Sequence, residues 1–410
     1  MLYIVRFPKP FAMEPADFLL AVVTRRPEEL QKNLPAYLEA LAGRPNWEVA
    51  VLDDAKSSVG NAAFLLRAFN DTGIRMRHLS PRHGVGLARI VSSALSRDVT
   101  RLFSGSFGSI RNTALAFALA GRQNAVFVDD DTFPLYDFAA RYEARFSEGW
   151  KLVPGGFEGH VHGSAHGLLY SVGEALNELR AGILAEKDAG AQILSAVRGV
   201  PPRQSSHSRH FFSGGNLGVS LSLASRLPFP PFQFRIEDAV FSMAASDYLS
   251  GDGRGVFRAY NDRLALLETP LVRHARAPTA APSLHSRLVR GLKGAAVARL
   301  VSEIGIQSFV KESAIPEDGL SARLRAAEEA AWSDFNMENH KQNISGSLGL
   351  IPGEAKEELA RIAKLEMKDV ALSPGEVKPA LDDLSFSLKA WPYVAGALEG
   401  GNAGKEVLAL

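Results

Sequence analysis

Asn124-Ala-Val-Phe-Val-Asp-Asp-Asp-Thr-Phe-Pro134 joins an apolar run to three consecutive acids. Residues 125–128 are short, apolar and rich in β-branched side chains, the pattern of a strand buried on both faces. Asp129, Asp130 and Asp131 follow directly, and Pro134 is expected to stop ladder pairing. Three adjacent carboxylates repel one another and are costly to hold unless a cation shares them. A hard divalent ion with oxygen ligands, its remaining positions given to substrate phosphates, is the usual solution. The plain alternative is a solvated acidic loop.

Outward from that run the chain keeps one rhythm. Asp17-Phe-Leu-Leu-Ala-Val-Val-Thr24 has the make-up of another buried strand, and Pro27 opens a helix over 28–42 with Leu30, Leu34, Leu38 and Leu41 at helical spacing. Residues 47–52 give the next strand, with Asp53 and Asp54 at its end. A helix over 60–69, a half-buried strand over 74–79 and a helix over 107–120, capped by Ser106 or Ser109, complete the run into the acidic strand. Strand and helix in alternation predict an α/β fold: a Rossmann-like, mostly parallel sheet with helices on both faces. Such sheets bind ligands at the carboxyl ends of their strands, where Thr24, Asp53, Asp54 and the three acids all fall.

The middle is less regular. Phe211-Phe-Ser-Gly-Gly-Asn-Leu-Gly-Val-Ser220 is a glycine-rich turn entering a strand, and Glu237 and Asp238 open a helix over 235–245. Short strands are expected at 256–260 and 265–267. Residues 279–282 read as a boundary between a domain over 1–282 and a helical C-terminal domain over 283–410. In the latter, 284–310, 320–335, 355–368 and 379–397 are helical by period and composition.

With 410 residues, 46% of them hydrophobic and 22% charged, the chain has ample core for more than one ordinary domain. Its 46 lysines and arginines against 45 acids leave a formal net charge of +1, which argues against a dedicated nucleic-acid binder. There is no cysteine, so disulfides, thiolate nucleophiles and cysteine-ligated zinc are excluded. The first ten residues lack a signal-peptide core and no apolar run is long enough to cross a bilayer, so a cytoplasmic protein is the expectation.

Six segments in order resemble those of GT-A fold glycosyltransferases, the nucleotide-diphospho-sugar transferase superfamily, of a family 2-like kind. They are Val22-Val-Thr-Arg-Arg-Pro27, Val51-Leu-Asp-Asp-Ala-Lys-Ser57, residues 108–118 around Arg111-Asn112, Phe127-Val-Asp-Asp-Asp131, Ser213-Gly-Gly-Asn216 and Ile236-Glu-Asp238. The resemblance covers about residues 17–280. It implies a nucleotide-diphospho-sugar donor, a hydroxyl-bearing acceptor and a Mn2+ or Mg2+ cofactor. Thr24, Asp53 and Asp54 would meet the nucleotide, Asp54 more closely than Asp53. Arg111 and Asn112 would lie under the donor phosphates and sugar. Asp131 would bind the metal directly and Asp129 would face the ribose or the metal through water. Asp130 would make local hydrogen bonds, although Asp129 and Asp130 could equally act as the pair. Gly214, Gly215 and Asn216 would form an acceptor-side loop. Asp238, with Glu237 beside it, would supply the base of an inverting transfer. In Val272-Arg-His-Ala-Arg276, His274 would be a further metal ligand and Arg273 or Arg276 would reach the pyrophosphate.

Ordinary readings stand beside each of these: turn-initiating acids at 53–54, an ion pair at Arg111, a packed polar side chain at Asn112, a tight turn at 214–216, dipole-complementing charges at 237–238 and a structural histidine at 274. His160, His162 and His166 fall in a glycine-rich loop with no acid at suitable spacing, and His207 and His210 flank a lid-like loop. Gly84-Val-Gly86 is too short for a dinucleotide fingerprint. Residues 284–293 form a basic amphipathic piece, read as a packed helix with a solvated basic face rather than a peripheral membrane contact. The C-terminal helices could build a homodimer or cover the acceptor site. A sugar-nucleotide nucleotidyltransferase is the rival enzyme, but Thr24-Arg-Arg-Pro27 lacks its phosphate-binding glycines. The rival from another class is a non-catalytic scaffold that binds a sugar nucleotide.

Overall fold

A computed structural model describes residues 16–53, 59–135, 137–159, 165–198, 215–232, 234, 236–249, 271–274, 283–311 and 318–410. The strands expected at 256–260 and 265–267, the boundary at 279–282, Asp54, Gly214, Arg276 and the histidines at 160, 162, 207 and 210 lie outside them. So do the side chains of His166, Arg273 and His274.

Strands β1 (Phe18–Thr24), β2 (Trp47–Asp53), β3 (Arg75–Leu79) and β4 (Asn124–Asp129) are parallel and stand in the order β3-β2-β1-β4. Every residue of β1 and β2 is buried, which is why neither alternates in polarity. Neighbouring residues still face opposite layers. Phe18, Leu20 and Val22 pack with Leu30, Leu34 and Phe138 of the helices Pro27–Ala40 and Phe138–Ser147. Leu19, Ala21 and Val23 pack with Leu115 and Leu119 of the helix Phe107–Gly121. Ser106 caps that helix, its hydroxyl accepting from the Ser109 N–H at 3.1 Å.

The sheet continues through β8 (Asn216–Val219), antiparallel to β4, to β6 (Leu152–Pro154). A second sheet of three strands runs β5 (Thr132–Leu135), β9 (Leu271–His274), β7 (Gly156–Gly159). Pro134 therefore does not stop pairing: it lies in β5 opposite Val272. β5 is an edge strand, where a residue without an N–H is tolerated.

Two further differences from the sequence reading have plain causes. The helix Pro81–Leu95 is unexpected because Gly84 and Gly86 lower its propensity, yet Leu87, Ala88 and Val91 bury its inner face. The helix expected over 284–310 is two, Leu284–Ile304 and Ile306–Lys311, parted at Gly305 with φ +81°. The helices after residue 283 share one core with a sheet layer and another with earlier helices. Trp391, on the helix Pro374–Leu398, belongs to the same cluster as Leu19 and Val23, and Leu284, Leu288 and Leu292 join Leu168 and Leu176 of the helix Ala165–Arg180.

Candidate active site

Register brings the acids to one edge. Thr24 lies beside Asp53 and Val23 beside Asp129, so β1, β2 and β4 end level. The Thr24 hydroxyl donates to Asp130 Oδ2 at 2.7 Å and accepts from the Arg26 N–H at 3.0 Å. The Arg26 guanidinium then spans two acids: Nη2 pairs with Asp130 Oδ1 and lies 3.0 Å from Asp131 Oδ2. Asn33 donates to the Asp130 carbonyl at 3.0 Å, and the Tyr37 hydroxyl meets Thr132 Oγ1 at 2.8 Å. The partners of Asp130 thus come from β1 and the turn and helix that follow it, not from its own loop. Asp53 is buried and pairs with His78 Nε2 at 3.0 Å.

A second group reaches the same edge from helices. Arg111 is buried on the helix Phe107–Gly121, its guanidinium carbon 5.5 Å from the centre of the Phe229 ring. Its Nη1 lies 3.2 Å from Glu237 Oε1 and 3.1 Å from Asp238 Oδ1, at the start of the helix Glu237–Tyr248. Burial works against the Arg111 charge, but Asp238, Glu237 and Asp129 more than offset it and raise its pKa. Asp129 is pushed up to about 7, chiefly by burial; Arg111 opposes this and the neighbouring acids Asp131, Asp238 and Asp130 reinforce it. Burial, then Asp238, likewise raises Glu237. Of the two acids that open this helix Asp238 is the accessible one, its side chain 30% exposed against 9% for Glu237.

Gly215 closes against this group. Its carbonyl accepts from the Asp129 N–H at 3.3 Å, and a β-carbon there would fall 2.1 Å from Asp129 Oδ2. His274 pairs with Thr132, the residue that follows Asp131. Arg273 pairs with Phe133.

Two residues assigned to ligands are used otherwise. Asn112 is fully buried: its amide donates to the carbonyls of Leu102 at 3.0 Å and Phe229 at 2.9 Å and accepts from the Phe229 N–H at 2.7 Å. Its place under a donor sugar is thus corrected to a clamp on the segment that precedes Glu237. Asn216 is also fully buried, accepting from the Tyr142 hydroxyl at 2.7 Å and donating to the Gly156 carbonyl at 2.8 Å. It locks β8 to its neighbours rather than facing an acceptor. Conversely, Arg26 and His78 went unassigned. The sign for Arg26 lies in the sequence, where two arginines follow one buried strand and three acids end its parallel neighbour.

Among the described residues no three histidine, aspartate or glutamate side chains form a ready metal cage. Charge nevertheless favours a cation. Among the described residues Asp129, Asp130, Asp131, Glu237 and Asp238 gather around Arg26 and Arg111, and hard carboxylate oxygens suit Mn2+ or Mg2+.

No protein-family model matches the chain, and no curated protein does. Several solved structures are similar. TarS of S. aureus in complex with UDP-GlcNAc is 13% identical with a TM-score of 0.38, over 87% of this chain and 89% of that one. The mannosyltransferase PcManGT from Pyrobaculum calidifontis in complex with GDP-Man and Mn2+ is 15% identical with a TM-score of 0.40, over 95% and 90%. Glucosyl-3-phosphoglycerate synthase from Mycobacterium tuberculosis, in complex with Mn2+, UDP and glucosyl-3-phosphoglycerate, is 14% identical with a TM-score of 0.35, over 74% and 82%. At such identities and scores no substrate or chemistry transfers to this chain.

Proposed function

We propose that this chain transfers a sugar from a nucleotide-diphosphate donor to a hydroxyl acceptor, inverting the anomeric carbon, with Asp238 as base. One observation carries the reading. Asp129, Arg111 and Asp238, from a strand, the helix that precedes it and a helix much later in the chain, gather at the carboxyl edge beside Thr24, Asp130 and Asp131.

The nucleotide lies over Thr24 and Asp53 in this reading, with its diphosphate toward Arg26 and Arg273. The acceptor oxygen attacks the anomeric carbon as its proton passes to the Asp238 carboxylate. The bond from that carbon to the β-phosphate oxygen breaks, and the oxygen keeps the electron pair. Asp238 suits this role better than Glu237 because it is the more exposed of the two. Arg111 holds the Asp238 carboxylate in place at 3.1 Å. Asp131, with Asp129 and His274, would hold Mn2+ or Mg2+, which supplies charge neutralisation for the departing diphosphate.

The test is a screen of nucleotide sugars for thermal stabilisation with and without Mn2+, followed by product analysis. A preferred donor raises the melting temperature by mass action. Asp131→Asn should lose that shift, whereas Asp238→Asn should keep it and lose turnover. Absence of any donor shift, or an Asp238→Asn variant that transfers sugar at the parent rate, sinks the proposal. Donor binding without turnover in the parent chain would instead identify a non-catalytic scaffold.

A further inference from the structure

We infer that the face formed by the helix Pro81–Leu95, the turn at 96–101 and the helix Pro374–Leu398 docks on an anionic lipid surface. Between Arg75 and Arg101 the chain carries six arginines and a single acid, Asp98, in a protein of formal net charge +1. Arg75 donates to the Pro45 carbonyl, Arg77 to Glu48 and the Leu408 carbonyl, and Arg101 to Asp383. Arg82, Arg89 and Arg97 are exposed and have no carboxylate partner among the described residues.

These three cations are interleaved with apolar side chains. Arg82, Val85 and Arg89 form one stripe at spacings of three and four, and Val85 is 61% exposed. Arg89 and Arg97 line an open groove of about 640 Å³ with the hydroxyl residues Ser92, Ser93, Ser96 and Thr100. Asp98 also lines it, its carboxylate accepting from the Thr100 N–H at 2.9 Å. Arg97 borders a second hollow with Leu95 and Tyr393, and Tyr393 is 65% exposed. The guanidinium carbons of Arg97 and Arg101 both lie 5.4 Å from the centre of the Phe386 ring, and Leu410 approaches Gly86. Three of the eight large apolar side chains most exposed among the described residues, Val85, Tyr393 and Leu410, thus gather on one basic face.

Charge alone would fit any polyanion. Arginines without carboxylate partners, set among hydroxyls and flanked by a tyrosine and aliphatic side chains, fit the headgroup layer, where phosphates lie above apolar chains. No helix among the described residues is long and apolar enough to cross a membrane, so the contact is peripheral. The basic piece at 284–293 is not the docking element, because Leu284, Leu288 and Leu292 are buried in the protein.

The test is cosedimentation of the full chain with phosphatidylcholine vesicles, with and without phosphatidylserine. Binding is expected only with phosphatidylserine, and it should weaken as salt screens the exposed charges. The triple variant Arg82→Glu, Arg89→Glu, Arg97→Glu should lose on the order of 100-fold, from roughly fivefold per arginine. Val85→Ser with Tyr393→Ser removes apolar surface without changing the charge and should weaken binding while keeping its salt dependence. Arg198→Glu, Arg290→Glu, Arg361→Glu makes the same change of net charge elsewhere and should bind like the parent. Equal binding to neutral vesicles, an equal loss in the control triple, or duplex DNA bound with the same arginine dependence and no vesicle binding overturns the inference.

Discussion

At Gly215 a β-carbon would stand 2.1 Å from Asp129 Oδ2, far inside van der Waals contact, and Asp129 has only a short side chain with which to retreat. Gly215→Ala should cost about 1–3 kcal/mol in urea unfolding and displace Asp129 from Arg111, so that donor binding weakens too. Asp129 sets a pH dependence of its own. Its carboxyl is held at about 7 in the folded chain against 3.8 ordinarily. Below pH 3.8 both states are protonated and nothing is lost. As pH rises from about 4 to about 7 the unfolded chain releases this proton first, so stability falls through that window and stays lowered above it. Asp129→Asn removes this slope. Without divalent metal it should melt a few degrees above the parent near pH 8 and show a smaller difference near pH 5, as read by calorimetry at both values. The acids at strand ends were legible because three carboxylates after an apolar run have few inexpensive uses. Asn112 and Asn216 were misplaced because a buried amide saturated by backbone looks, in sequence, like one awaiting a ligand.

Among the elements, the parallel strands were the readable ones, since a fully buried run advertises itself without its neighbours. The helix Pro81–Leu95 was hidden by its glycines, and the segment before Glu237 by its prolines. That segment is held from outside. Asn112 fixes Phe229 through both backbone groups, and Gly108 leaves room for the Pro230 carbonyl, which a β-carbon would meet at 2.0 Å. The helix bearing Glu237 and Asp238 begins a few residues later. Asn112→Ala leaves three buried backbone groups without this partner and should cost about 3 kcal/mol or more. Because the loosened segment carries Asp238 rather than the Thr24 edge, turnover should drop more than donor affinity. Equilibrium unfolding and a KM-against-kcat comparison check both parts.

Across the whole molecule, the residues beyond 283 are easily read as helical, but sequence periodicity does not say which surface a helix covers. Trp391 supplies the answer. Fully buried on the helix Pro374–Leu398, its indole N–H donates to the Ala224 carbonyl at 2.6 Å and its ring lies 6.1 Å from that of Phe103. Ala224 and Phe103 belong to the cluster that also holds Leu19, Ala21 and Val23 of the central strand. One layer of the sheet is therefore completed from the C-terminal end of the chain. Trp391→Ala should lower stability by about 3–5 kcal/mol and should do so within a single unfolding transition, because the sheet and the late helices lose the same core together. A chain ended at residue 282 leaves that layer uncovered and should bind a hydrophobic dye or precipitate rather than melt cooperatively. Two separate transitions in the full chain, only one of them moved by Trp391→Ala, would show instead that the sheet stands on a core of its own.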